Sequence, residues 1–190
     1  MGNALTKPFI SQKEYLDTER LALDKHEYFN GEVFAMSGAS RFHNRIFRNT
    51  YARIGIFLEG KKCTPYGSDL RVHIPINTLY TYPDISIVCD DEQYLDDEFD
   101  TLLNPKVIIE ILSKSTKDYD KGTKFTLYRS IPSLVEYILI DSEKMFIERF
   151  AKNSEGVWSL SEYSLPTDLL QISSIDFKIS LEMIYDKVFV

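Results

Sequence analysis

Two acids stand where strands should not carry them. Asp84 closes Tyr82-Pro83-Asp84 at the mouth of a short apolar run, and Glu110 interrupts Val107-Ile108-Ile109-Glu110-Ile111-Leu112. A carboxylate on an otherwise hydrophobic strand is costly to bury unless a cation compensates it. Two such carboxylates in proximity repel, and a divalent metal is a common remedy. If the two strands are neighbours, Asp84 and Glu110 grip one cation, with the peptide carbonyl of Ile111 as a third oxygen. Magnesium suits such a site because it takes one or two carboxylates and keeps several waters, and manganese is the natural substitute. An ion held there can polarise a phosphodiester and activate water.

A lysine close by would stabilise developing negative charge or orient the attacking water. Lys117, Lys121 and Lys124 follow on a helical pattern, spaced four and then three apart, with Tyr128 four residues further. In an α-helix they share one face. The plainer reading of that face is a solvated lysine stripe.

The elements that must position these groups are legible in part. Ser11 to Glu14 is a capping box that opens a helix running to about Asp17. Asn30-Gly31 turns a hairpin over Tyr28–Met36. Ser40 caps a long helix with an apolar stripe from Ile46 to Leu58, stopped at Gly60. Strands are expected at Leu70–Ile74, Asp84–Val88, Val107–Leu112, Leu134–Asp141, Met145–Phe150 and Trp158–Tyr163, with a closing helix over Ser180–Val188. Side chains alternate along a strand, so Ile108, Glu110 and Leu112 share one face and Val107, Ile109 and Ile111 the other. Helices between some strands and hairpins between others point to an α/β (α+β) domain with a mixed sheet flanked by helices.

At 190 residues the chain fits one domain, 1–190. No run is long and apolar enough to span a membrane and no secretory signal is seen, so a cytoplasmic protein is expected. Met1-Gly2-Asn3-Ala4-Leu5-Thr6 fits the loose N-myristoylation pattern, which is frequent by chance. Cys63 and Cys89 form no disulfide framework and lack metal-ligand spacing, so both are expected as buried or half-buried thiols in a reducing compartment. The net charge of −7 is uneven. Seven acids lie between Asp90 and Asp100, equal to the whole net charge, and read as solvated surface. From Arg41 to His73 seven bases face only Glu59 and Asp69. Arg41, Arg45 and Arg48 on the long helix, with His43 and Lys121, are the candidates for following a DNA backbone.

In this order and spacing, Tyr82-Pro83-Asp84, Pro105 to Ser113 with Glu110, and Asp120 to Lys124 with Tyr128 resemble the PD-(D/E)XK nuclease superfamily. They are most similar to its bacterial Uma-two branch of restriction-endonuclease-like proteins, over roughly Ser11 to Asp141. The resemblance implies a restriction-endonuclease-like fold and a magnesium-dependent endonuclease acting on DNA, with Asp84 and Glu110 on the metal. The parent superfamily's lysine, two residues after the second acid, is Leu112 here. In this branch the matching lysine is Lys124, with Lys121 a neighbouring candidate, and Glu32 matches an additional acid. Such enzymes often pair to cut two strands, and a homodimer through Phe177, Ile179, Ile184, Tyr185, Phe189 and Val190 is one use of that apolar segment; packing on its own sheet is the other. Two alternatives stand: a binding module on the same fold without cleavage, and a metal-free two-carboxylate glycosidase. The latter explains neither the strand position of Glu110 nor the lysine face.

Overall fold

Local chemistry starts each element. Ser11 accepts from the Glu14 backbone while the Glu14 carboxylate returns to the Ser11 N–H, and α1 (Gln12–Glu19) follows. Strands β1 (His26–Phe29) and β2 (Glu32–Ala35) turn through Asn30 and Gly31, at φ 50° and 90°, the left-handed pair that a tight hairpin requires. Ser40 accepts from the His43 backbone to cap α2 (Arg41–Leu58). Then come β3 (Cys63–Gly67), β4 (Arg71–Ile74), β5 (Leu79–Thr81), β6 (Ile85–Cys89), β7 (Thr101–Leu102) and β8 (Val107–Leu112). A broken helix follows: α3 (Lys117–Tyr119), a π-helical turn over Asp120–Lys124, and α4 (Phe125–Tyr128). The chain continues with β9 (Glu136–Asp141), β10 (Ile147–Lys152), β11 (Trp158–Tyr163), β12 (Leu169–Ile172), β13 (Phe177–Ser180) and the short α5 (Leu181–Ile184). This computed structural model describes residues 8–114 and 117–189, so the N-myristoylation pattern, Ser115, whose hydroxyl is expected from sequence to bond local backbone, and Val190 lie outside the described residues.

The central sheet runs β11-β10-β9-β8-β6-β3, with β8 parallel to β9 and antiparallel to β6. It is the expected mixed sheet. On one face Ile85, Ile87, Val107, Ile109, Ile111 and Ile138 pack against Ile46, Ile54 and Leu58 of α2 and against the C-terminal hairpin and α5. On the other, Ile108, Leu112, Tyr137 and Leu139 meet Tyr128, Ile131 and Leu134. Val72, Ile74 and Leu79 of a second sheet, ordered β2-β1-β5-β4-β7, complete that layer. Glu110 therefore looks toward the broken helix and the smaller sheet, away from α2.

Two expectations are corrected here, for the cysteines and for the acidic run. Cys63 and Cys89 are half-buried but not thiols: they face each other across the β3–β6 pair and are joined by a disulfide. For the apolar C-terminal segment the structure takes the second of the two expected uses and corrects nothing: Phe177, Ile179, Ile184 and Tyr185 are buried in the chain's own core, while Phe189 is exposed. The acidic run is only partly solvated. Asp96 and Asp100 hold Arg20, and Asp100 also holds Arg71, a base from the basic stretch that is itself buried. Among the described residues no helix is long and apolar enough to cross a membrane.

Candidate active site

Strand register brings the two acids together. Antiparallel β6–β8 pairing ends at Ile85 opposite Ile109, so Asp84 and Glu110 are the next pair. The Asp84 N–H approaches Glu110 Oε2 at 3.4 Å, and the Ile111 N–H donates to Asp84 Oδ2 at 2.7 Å. His43, in the first turn of α2, places Nε2 3.1 Å from Asp84 Oδ1. On the other oxygen of Glu110, the Tyr128 hydroxyl donates to Oε1 at 2.8 Å and Lys124 Nζ reaches the same atom at 2.9 Å. The Lys124 ammonium also lies 2.9 Å from Glu27 Oε1 on β1 and 3.6 Å from Asp120 Oδ1.

The π-helical turn brings a lysine from a helix to the strand-borne Glu110. A π turn carries an extra residue, a distortion that recurs at functional sites. It separates the three lysines expected on one face. Lys117 pairs with Asp141 at 2.6 Å and Lys121 with Glu148, both along the strands β9 and β10, while Lys124 turns inward with Asp120 and both are buried.

These groups form the floor of an open cleft of about 550 Å³, bounded by β1, β2, the start of α2 and the end of β8. Its electrostatics follow from burial and crowding. Burial pushes the Glu110 carboxyl up to about 8, Lys124 opposes that, and the charges of Asp120 and Asp84 reinforce it. Burial would lower Lys124, but Glu110, Tyr128, Glu27 and Asp120 outweigh it and hold the ammonium well above its ordinary value. Burial, then the charge of Glu110, likewise drives the Tyr128 phenol up. Acids thus outnumber the lysine around this floor, an excess that favours a further cation. Among the described residues no three His, Cys, Asp or Glu side chains form a ready-made cage. The oxygen donors of Asp84 and Glu110, which both line the cleft, nonetheless fit an ion that keeps most of its water, as magnesium does.

A family model described as "Uma2: Putative restriction endonuclease" matches residues 12–183. The chain belongs to the Uma2 family. The uncharacterized protein slr1290 of Synechocystis sp. is 36% identical over 178 residues, covering 94% of this chain and 92% of that protein. A second, sll1609 of the same organism, is 33% identical over 157 residues, covering 83% and 89%. A crystal structure titled as a putative nuclease belonging to DUF820, from Anabaena variabilis, superposes with a TM-score of 0.78 at 16% identity. It covers 94% of this chain and 99% of that one, and it shares the fold.

Within this Uma2 chain, Asp84, Glu110, Ile111, His43 and Lys124 all line the cleft. Glu32 does not. It shares a sheet face with Glu27 but lies at the turn end of the hairpin, where it pairs with Phe29; Glu27, opposite Phe34, occupies the cleft instead. Glu27 and Asp120 were missed. The clue for Asp120 was its place four residues before Lys124, whereas Glu27 had none beyond the alternation of its strand. Of the DNA candidates, Arg41 borders a neighbouring cavity. Arg45 donates to the Lys187 carbonyl, and Arg48 bonds Asn49, which clamps the carbonyls of Ile184 and Asp186. These two arginines support the C-terminal segment.

Proposed function

We propose that this chain is a magnesium-dependent endonuclease that hydrolyses DNA phosphodiester bonds, with manganese as a substitute ion. The observation that carries the reading is the convergence of Asp84 and Glu110, from adjacent strands, beside the buried Lys124 at the floor of an open cleft. Asp84 and Glu110 would hold the ion, joined by the Ile111 carbonyl, which leaves the strand on the same edge as the N–H already directed at Asp84. The ion would supply Lewis acidity at the phosphate and a more acidic water. The protein's own groups do the rest. Tyr128 and Lys124 fix Glu110, and His43 fixes Asp84, so both acids are oriented before substrate arrives. Glu27 and Asp120 keep Lys124 charged, and its ammonium stabilises negative charge as it grows on the phosphate. The family description and the fold shared with the Anabaena protein support hydrolysis of nucleic acid over the glycosidase alternative.

A binding module that does not cut is the second reading. It is favoured by the three carboxylates that already surround Lys124. Plasmid cleavage separates the two. The enzyme nicks or linearises supercoiled DNA in magnesium or manganese and not in chelator, and Glu110→Ala abolishes both cleavage and the metal-induced rise in melting temperature. DNA retained in chelator with unbroken strands under every metal would establish the binding module instead.

A further inference from the structure

The cleft does not end at the two acids. A second cavity of about 490 Å³ opens where α2 begins and where β8 and β9 end, and Ser113 borders both spaces. Parallel strands commonly seat ligands beyond their carboxyl ends, and β8 and β9 are parallel up to Leu112 and Asp141. Ser113 stands three residues past Glu110, roughly 10 Å along an extended chain. A strand whose phosphate lies at Glu110 therefore reaches this cavity with its neighbouring nucleotides.

The wall has a composition that the first cleft lacks. Arg41 and Lys114 face one carboxylate, Glu143, leaving positive charge in excess. Both bases are exposed, and among the described residues neither has an ion-pair partner. Beside them stand Phe42 and Phe189, with ring centroids 6.0 Å apart, and the Arg41 guanidinium lies 4.8 Å over the Phe42 ring. Phe189 is 47% exposed although its other side is supported by the Tyr185 ring at 5.7 Å. Phe189 thus has aromatic neighbours on one side and lines the cavity with an open ring on which a planar group can stack.

We propose that this cavity is a nucleotide subsite for an unpaired base on the strand being cut. Arg41 and Lys114 take the phosphate, and the base stacks on Phe189. Cations that track a backbone beside an open aromatic ring are the means by which proteins hold single strands, because a base inside a duplex offers no free face. The proposal rests on the nuclease reading and extends it to substrate class: DNA with a single-stranded segment beside the scissile bond.

The test measures binding apart from cutting. A fluorescent single-stranded oligonucleotide and the blunt duplex of the same sequence are titrated in chelator against the wild-type chain, Phe189→Ala, Phe189→Trp and Lys114→Gln. Phe189→Ala weakens single-strand binding roughly five-fold or more while barely changing the duplex. Phe189→Trp retains binding, and its added indole emission is quenched by the oligonucleotide relative to the Trp158 background. Lys114→Gln lowers the dependence of log affinity on log salt by about 0.7 for the single strand. Single-strand binding that is undetectable, unchanged in Phe189→Ala or without quenching in Phe189→Trp overturns the subsite. Cleavage is scored separately in magnesium. A wild-type chain that binds as described but never cuts removes the nuclease reading and the substrate class with it, leaving a single-strand binding site, and one that cuts with no effect at Phe189 removes the subsite alone.

Discussion

Replacing Lys124 by methionine keeps an unbranched apolar stem, one atom shorter, and removes the ammonium that Glu110, Glu27 and Asp120 share. Breaking a buried pair by deleting one partner costs about 3–5 kcal/mol, because the other charge remains buried and uncompensated. For a domain of this size each kcal/mol moves the melting temperature by about 2–4 °C, so a fall of about 6–20 °C is expected. The loss has a pH signature. Glu110 is held above its ordinary value of 4.5, at about 8. An acid raised by folding keeps a proton that the unfolded chain has released, so stability falls as pH rises between those two values. Lys124 is the cation that restrains Glu110, and without it the folded-state value climbs further. Lys124→Met therefore loses more stability at mildly alkaline pH than at mildly acidic pH, and magnesium restores more of its melting temperature than it adds to the wild type. Thermal melts followed by circular dichroism across that range, with and without magnesium, read both effects. A variant that melts within a few degrees of wild type throughout, with the same pH dependence, would refute the claim that Lys124 compensates these acids.

Burial favours the neutral form of Asp100, but hydrogen bonds from Arg20 and Thr101 and the charge of Arg71 hold its carboxyl well below the ordinary 3.8. Its stabilisation is complete above 3.8 and is lost as pH falls through the depressed value, so Asp100→Asn flattens the acid limb of stability in urea titrations below that point. Asn49→Ala leaves the Ile184 and Asp186 carbonyls without their donor and costs roughly 1–3 kcal/mol for each carbonyl that water cannot reach, read as a lower urea midpoint.

What the sequence reveals here is whatever depends on near neighbours. The capping box at Ser11, the left-handed turn at Asn30-Gly31 and the alternation of Val107 to Leu112 are local, and each forms as its residues dictate. Asp84 and Glu110 were legible as a pair because each is anomalous on its own strand. The second sheet was not, since β5 and β7 are too short to show a period and pair only through tertiary contacts. For the same reason the 26-residue gap between Cys63 and Cys89 concealed a cross-strand partnership: β3, with Pro65 and Gly67, does not read as a strand. The lysine face failed differently. Spacing of four and three means one face only if the helix stays α, and the π turn at Asp120–Lys124 rotates Lys124 away from Lys121. Counting charges likewise places Arg71 in the basic stretch, although its partner Asp100 comes from the acidic run.

Asp84 does two jobs with one side chain. Main-chain pairing between β6 and β8 stops at Ile85, and the next amide on that edge of β8, belonging to Ile111, is satisfied by the Asp84 carboxylate. The acid thus supplies the last rung of the sheet as well as charge to the cleft. Asparagine would preserve the rung and discard the charge, whereas alanine would unpick both, so the two substitutions separate architecture from reactivity at a single position.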